Sequence, residues 1–256
     1  MQRPAISNRF IAPMLLAAAV SFQAHAEGTY MVPAGAPDYV RAAVTSSDRT
    51  EQQTARDSNR KPAEVLMLSG VKPGDTVVEF AGFGQYYTTM ISSIVGAKGK
   101  VYMFDLPYTA ERAEAGSRAF IASHPNTEYA LVDYNEMEVP QNVDVVFNVL
   151  YYHDLPLNNI DTAKLNAKIF KALKPGGVFL VIDHNAEAGS GTRDIKTLHR
   201  IDPEVIKQEI TAAGFELVEQ SDLLAHPEDP RTQMVFTQGL RGETDRTVFK
   251  FRKPAN

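Results

Sequence analysis

Two short stretches carry most of the side chains in this chain that can move a proton or hold a ligand. Tyr151-Tyr152-His153-Asp154 closes the apolar run 144–150, and Asp183-His184-Asn185 follows the apolar run 178–182. An imidazole titrates near neutrality and takes a proton directly. His153 is therefore assigned as a general base or substrate-orienting group, with Tyr152 and His184 as its catalytic companions. A plainer reading stays open, in which His153 bonds a loop carbonyl and Asp154 caps a turn. A third stretch, residues 76–88, is of another kind: an apolar run ends in Glu79, glycines follow at 82 and 84, and helix-compatible sequence comes next. Strand, tight turn and helix start in that order suit a nucleotide-type cofactor, because the turn admits a ligand to the backbone and free amides point at it. Glu79, Ala81, Gly82 and Gly84 are the cofactor-binding candidates there.

His153, Asp154, Asp183, His184, His199 and Asp202 offer nitrogen and oxygen donors that would suit zinc, manganese or magnesium if the fold gathered them. Their spacing matches no metal signature, and Asp202 before Pro203 is accounted for as a helix cap, so no metal is assigned. Arg193, His199 and Arg200 lie in a polar crossover and either meet an anionic substrate group or face water. Tyr86, Tyr87, Tyr151 and Tyr152 either line a pocket for a ring-bearing substrate or pack in the core. Gly82-x-Gly84 half-matches the dinucleotide fingerprint, but the third glycine would fall at Tyr87, which argues against a dehydrogenase.

The elements that must position these groups alternate along the chain. Short apolar runs at 76–80, 100–104, 128–132, 144–150 and 178–182 predict parallel strands buried on both faces. Helical spacing predicts helices over 86–95, 109–123 and 160–173 between them. Another opens at Lys61-Pro62 and closes at Gly70. The alternation predicts a parallel sheet with helices on both sides and right-handed crossovers. Asp202-Pro203-Glu204 starts a further helix that Gly214 ends. Strands at 215–221 and 247–252 then form an antiparallel pair at one sheet edge. In such sheets ligands bind outside the carboxyl ends of the strands, where the chemistry-bearing stretches fall.

Residues 1–26 read as a secretory signal peptide: Arg3 and Arg9, an apolar core over 11–22, and the small-x-small site Ala24-His25-Ala26. The core is too short for a membrane span of about 20 residues. The mature protein is thus expected in the periplasm or secreted, with no membrane segment after cleavage. Residues 27–58 are polar and irregular and read as an N-terminal arm that wraps the domain or caps its site; residues 59–256 form the domain. The chain has no cysteine, so its stability rests on the hydrophobic core. Of 256 residues, 26 are Lys or Arg and 31 are Asp or Glu, a net charge of −5, with no basic run or face. Nucleic-acid binding is not expected, which leaves a small molecule as partner.

The ordered set Arg60-Lys61-Pro62, Gly70-Val71-Lys72-Pro73-Gly74, Glu79 with Tyr86-Tyr87-Thr88, Tyr152-His153-Asp154, Leu173-Lys174-Pro175-Gly176-Gly177, Asp183-His184, Leu198-His199-Arg200-Ile201-Asp202 and Thr244-Asp245-Arg246 resembles the class I S-adenosylmethionine-dependent methyltransferases. The likeness is greatest to exported bacterial proteins of that class. The resemblance covers residues 45–254. It implies an α/β three-layer sandwich with a Rossmann-like, seven-stranded sheet in the order 3-2-1-4-5-7-6, strand 7 antiparallel. It also implies S-adenosylmethionine as cofactor, with its methionine end over 79–85, its ribose at Asp105 and its adenine near Asp133. A carboxylate at the ribose makes sense, since two acceptor oxygens match two neighbouring hydroxyls. The loop departs from the family pattern, which places glycine two, four and six residues after the acid. Ala81, Phe83 and Gln85 stand there instead. Asn148-Val149-Leu150-Tyr151 lacks both prolines of the motif found in amino-group methyltransferases. Methyl transfer to a small molecule is the expectation. A non-catalytic binding protein with an altered loop, or a metal-assisted hydrolase or lyase, are the other readings.

Overall fold

The computed structural model describes residues 30–255, so the expected signal peptide lies outside the described residues. In chain order the elements are α1 (Asp38–Val44), α2 (Glu51–Thr54), α3 (Asp57–Arg60), α4 (Pro62–Ser69), β1 (Thr76–Phe80), α5 (Tyr86–Val95), β2 (Lys100–Asp105), α6 (Ala110–Ser123), β3 (Thr127–Leu131), β4 (Val143–Val149), α7 (Asp154–Leu157), α8 (Thr162–Ala172), β5 (Leu173–His184), α9 (Ile195–Leu198), α10 (Pro203–Ala212), β6 (Glu216–Ser221) and β7 (Arg246–Arg252). Local chemistry sets several boundaries. Pro62 opens α4 at its first turn, and Gly70 leaves it at φ 75°. The carboxylates of Asp161 and Asp202 accept from Lys164 N and Glu204 N to cap α8 and α10.

The sheet has seven strands in the order β3-β2-β1-β4-β5-β7-β6. β1 to β5 pair in parallel, and β7 runs antiparallel to both β5 and β6. This is the expected Rossmann-like arrangement of the methyltransferase fold, with β7 inserted between β5 and the edge strand. In β1, Val78 and Phe80 face one apolar cluster and Val77 the other, so both faces of the sheet are covered. Burial on both faces is why these strands are continuous apolar runs rather than alternating ones. Among the described residues, no helix is long and apolar enough to cross a membrane.

Two segments differ from their sequence reading. Lys174-Pro175-Gly176-Gly177, which lies outside the strand expected at 178–182, is taken into β5, opposite an irregularity in register between Val143 and Val145. Within residues 27–58, read as irregular, the chain forms the short helices α1 and α2 and starts α3. Two have only four residues, too few for any apolar period to show. They are ordered by tertiary contact. Val40, Ala43 and Val44 of α1 are buried in the cluster that holds α4 and α5.

Parallel pairing with register Glu79↔Met103 and Glu79↔Phe147 brings the carboxyl ends of β1, β2 and β4 level. β4 and β5 pair through Val149↔Ile182. The chain winds outward from β1 to β3 on one side and from β4 onward on the other, which leaves a crevice beyond β1 and β4.

Candidate functional site

A cavity of about 570 Å³ opens at that crevice, and Glu79, Phe83, Tyr151, His153, His184 and His199 all line it. Arg56 and Arg60 from the N-terminal helices form a second wall. Their guanidinium carbons lie 4.8 and 4.6 Å from the centre of the Tyr86 ring. The Tyr86 hydroxyl donates to Asp57, which also receives the buried Arg49. A buried ion pair and a stack of cations on one ring thus join the helices at 49–60 to the site.

The histidines form a chain of contacts. His153 is 3% exposed, its backbone N–H donates to Asp183 Oδ2 at 2.7 Å, and its Nδ1 lies 2.6 Å from Asp183 Oδ1. Its Nε2 lies 3.2 Å from Asp154 Oδ1, which is 3.1 Å from His199 Nδ1. Burial disfavours a charged His153, but Asp183 and Asp154 outweigh it and raise the imidazole to about 10. The direction of that shift favours the protonated ring, which suits the substrate-orienting role assigned to His153 better than the general-base role. Burial also opposes the charge on Asp154, but the imidazoles of His153 and His199 hold that carboxyl below its ordinary range. His184 is the opposite case. Burial, helped by His153, Arg246, Arg200 and Arg60, keeps its pKa well below the ordinary value, and its Nδ1 sits 2.8 Å from Thr244 Oγ1. It presents a neutral ring to the cavity.

Tyr152 does not belong with them. Its side chain is fully buried, its hydroxyl donates to Glu209 and accepts from Asn166, and it packs in the core cluster. The site assignment is corrected to its neighbour Tyr151, because Leu150 takes φ 56° and turns the chain there. Arg200 is also structural, fully buried and doubly bonded to Asp229. Arg193 is exposed and pairs with Glu187 and Asp194. Asp202 stays a helix cap and also accepts from Gly189 N. Of the six potential metal donors, only His153, Asp154 and His199 bring ligand atoms within 4.8 Å of one another.

The loop after β1 shows what the unusual glycine spacing means. Ala81 and Gln85 occupy two places where the family pattern has glycine, and both are left-handed, at φ 56° and 49°. Gly84 is left-handed too, whereas Gly82 is needed for space: a Cβ there would lie 2.6 Å from Met103 Cγ. The loop therefore rests directly on β2. Gln53 secures it from outside, donating to the carbonyls of Gly84 and Gln85. Glu79 is 4% exposed and accepts from Thr88 Oγ1. Burial raises its carboxyl to about 7, and Asp105 adds to the rise.

Asp105 lies under this loop. It is fully buried, and neither carboxylate oxygen makes a hydrogen bond of good geometry. Burial raises it to about 6, although the Phe83 and Gly82 amides and the Tyr129 hydroxyl lie close enough, with Arg112, to oppose the rise. Phe83 borders the cavity. Its ring is edge-on to Tyr151 with centroids 6.3 Å apart, and the Arg112 guanidinium carbon lies 4.7 Å from its centre. Asp105, the residue the resemblance assigns to the ribose, is fully buried and does not line the cavity in this conformation. Asp133 is exposed and accepts from Asn135 N in a local turn, away from the cavity. The expected cofactor residues split three ways: Glu79, Ala81 and Gly82 line the cavity, Asp105 lies beneath it, and Gly84 and Asp133 lie outside.

Sequence reasoning did not single out Arg56, Arg241 or Phe236, all of which line the cavity. They come from segments without periodicity or motif. Arg60 had one signal, its place in Arg60-Lys61-Pro62.

No family model matches the chain. Curated relatives include the ubiquinone/menaquinone biosynthesis C-methyltransferase UbiE of Teredinibacter turnerae, 28% identical over 129 residues, 49% of either chain. The UbiE of Escherichia coli is 28% identical over 116 residues, 45% of either chain. The chain therefore spans about half the length of the curated relatives it matches. Similar solved structures include a SAM-dependent methyltransferase from Aquifex aeolicus, with TM-score 0.55 and 19% identity over 74% of this chain and 88% of that one. The arsenic(III) S-adenosylmethionine methyltransferase of Chlamydomonas reinhardtii gives 0.56 and 17%, over 85% and 74%. The [4+2]-cyclase SpnF gives 0.56 and 16%, over 82% and 85%. A cyclase among these neighbours shows why the fold is secure while activity must be argued from the site.

Proposed function

We propose that this protein is an S-adenosylmethionine-dependent methyltransferase acting on a small molecule held in the cavity beyond β1, β4 and β5. The observation that carries the reading is Asp105. A fully buried carboxylate at the end of β2, whose nearest donors, the Gly82 and Phe83 amides and the Tyr129 hydroxyl, form no hydrogen bond of good geometry, calls for better-placed donors. The two ribose hydroxyls of an adenosyl group supply them once Phe83 swings aside. The cavity also suits the other end of the cofactor. Glu79 matches an α-ammonium, and Arg56 or Arg60 matches an α-carboxylate. The matching halves of two C-methyltransferases point the same way.

The cofactor, when bound, supplies an electrophilic methyl group. The chain's own part is to align and enclose. Neutral His184 can accept a hydrogen bond from an acceptor hydroxyl, while Leu157 and Phe236 screen the cavity from water. The four arginines at its walls, Arg56, Arg60, Arg112 and Arg241, favour an acceptor with an anionic group. The leader-like residues 1–26 support a place outside the cytoplasm, to be checked by N-terminal sequencing of the exported chain.

Calorimetric titration with S-adenosylhomocysteine tests the assignment. Binding is expected in the wild type, with Asp105→Asn weakening it by roughly tenfold or more, as for loss of charge-assisted hydrogen bonds worth about 1.5–3 kcal/mol. No heat at millimolar ligand in the wild type would overturn the methyltransferase reading. Unchanged affinity in Asp105→Asn would overturn the ribose role.

A further inference from the structure

We propose that His153, Asp154 and His199 form a binding site for one divalent transition-metal ion of the zinc, cobalt or manganese type. The geometry of the three donors carries this. With ligand atoms about 2.1 Å from a metal, neighbouring ligands of a tetrahedral or octahedral shell lie roughly 3.0–3.4 Å apart. Asp154 Oδ1 lies 3.2 Å from His153 Nε2 and 3.1 Å from His199 Nδ1. Both separations are edges of such a shell. All three ligand atoms lie within 4.8 Å of one another, so only a modest closing of the two imidazoles is needed.

A second observation is independent of those distances. Asp183, 1% exposed, holds His153 from behind through Nδ1 and the backbone N–H, which leaves Nε2 directed at Asp154. A carboxylate on the far nitrogen of a ligating histidine is the usual device that sets its tautomer and raises its basicity. Charge is also consistent, since the carboxylates of Asp154 and Asp183 balance a dication.

Two imidazoles and one carboxylate leave coordination positions open. His153, Asp154 and His199 all border the cavity, so those positions face it. Phe236, with its ring centre 5.2 Å from that of His199, supplies an apolar wall beside the site. An oxygen-bearing acceptor would be drawn to such an ion and its hydroxyl made more acidic. That use rests on the methyl-transfer reading, whereas metal binding does not.

The test is metal binding by the untagged full chain, stripped with chelator and titrated with zinc against a chromophoric competitor, with no cofactor present. One equivalent is expected. His199→Ala and Asp154→Asn should each weaken binding at least 100-fold, and Asp183→Asn roughly 10–100-fold. Cobalt(II) in place of zinc should give a visible d–d spectrum that His199→Ala abolishes. His199 is partly exposed, so that variant is expected to fold, which its circular dichroism and thermal midpoint would verify. Less than a tenth of an equivalent in the wild type would overturn the proposal. So would unchanged zinc affinity and cobalt spectrum in His199→Ala and Asp154→Asn, which would place the ion elsewhere. Failure here leaves the adenosyl titration untouched, so the two readings can fall separately.

Discussion

Replacing Phe83 by alanine should make the protein bind S-adenosylhomocysteine more tightly, and the size of the gain can be worked from the closed loop. Phe83 is partly buried, edge-on to Tyr151, with Arg112 over its face. Full burial of a phenylalanine contributes about 1.5–3 kcal/mol. An edge-on ring pair adds about 0.5–1.5 kcal/mol, and an exposed cation over a ring about 0.5–1 kcal/mol. Half of the first with a modest share of the others favours the closed loop by about 2 kcal/mol, roughly 30-fold in population. A ligand that needs the open loop binds with an affinity reduced by that population. Phe83→Ala removes the ring contacts, so the apparent dissociation constant should fall by roughly 10–30-fold. Calorimetry on the two chains at one pH and salt measures it. An affinity unchanged within about twofold would show that the ring does not guard Asp105. A weaker affinity would show that the ring contacts the ligand, and either result refutes the argument. No heat from either chain would remove the cofactor reading as well.

Glu79 predicts a pH effect on stability without ligand. Its carboxyl is raised by burial to about 7 in the folded chain, so the unfolded chain releases this proton first as pH rises. Below about pH 4.5 the group is protonated in both states. Between there and pH 7 to 8 folding carries a growing penalty, up to about 3 kcal/mol. Glu79→Gln should therefore gain stability relative to wild type in urea melts at pH 8 compared with pH 5; a constant difference would show that Glu79 titrates normally. Arg200→Ala should cost about 3–5 kcal/mol by stranding buried Asp229, whereas Arg193→Ala should stay within about 0.5 kcal/mol. Equal losses in urea midpoints would contradict the assignment of Arg200 to the core and Arg193 to the surface.

Much of the fold was legible because it is written in local patterns. The apolar runs that became β1 to β5 are continuous because both sheet faces are covered, and Pro62 in a first turn and the Asp202 cap mark helix starts by local geometry and short-range hydrogen bonding. The position of β7 between β5 and β6 came from the family resemblance, since alternation within a strand does not say which neighbour it will choose. The helices at 38–60 escaped notice because their order comes from contacts with α4, α5 and the glycine loop, not from periodicity of their own.

The sequence alone determined which residues stand at the carboxyl ends of the strands: Glu79, Asp105, His153, Asp183 and His184. Strand direction and length place them there whatever their neighbours do. Tertiary structure decided what each one faces. It turned Tyr152 into the core and left Tyr151 on the cavity wall, set the Phe83 ring against Tyr151, and set His199 beside Asp154 across 45 residues of chain. Such choices depend on a backbone dihedral at Leu150, on the space left by Gly82 above Met103, and on where a distant loop lands. Spacing along a chain carries no record of distances through space, and the energies that decide them arise only once the layers have packed.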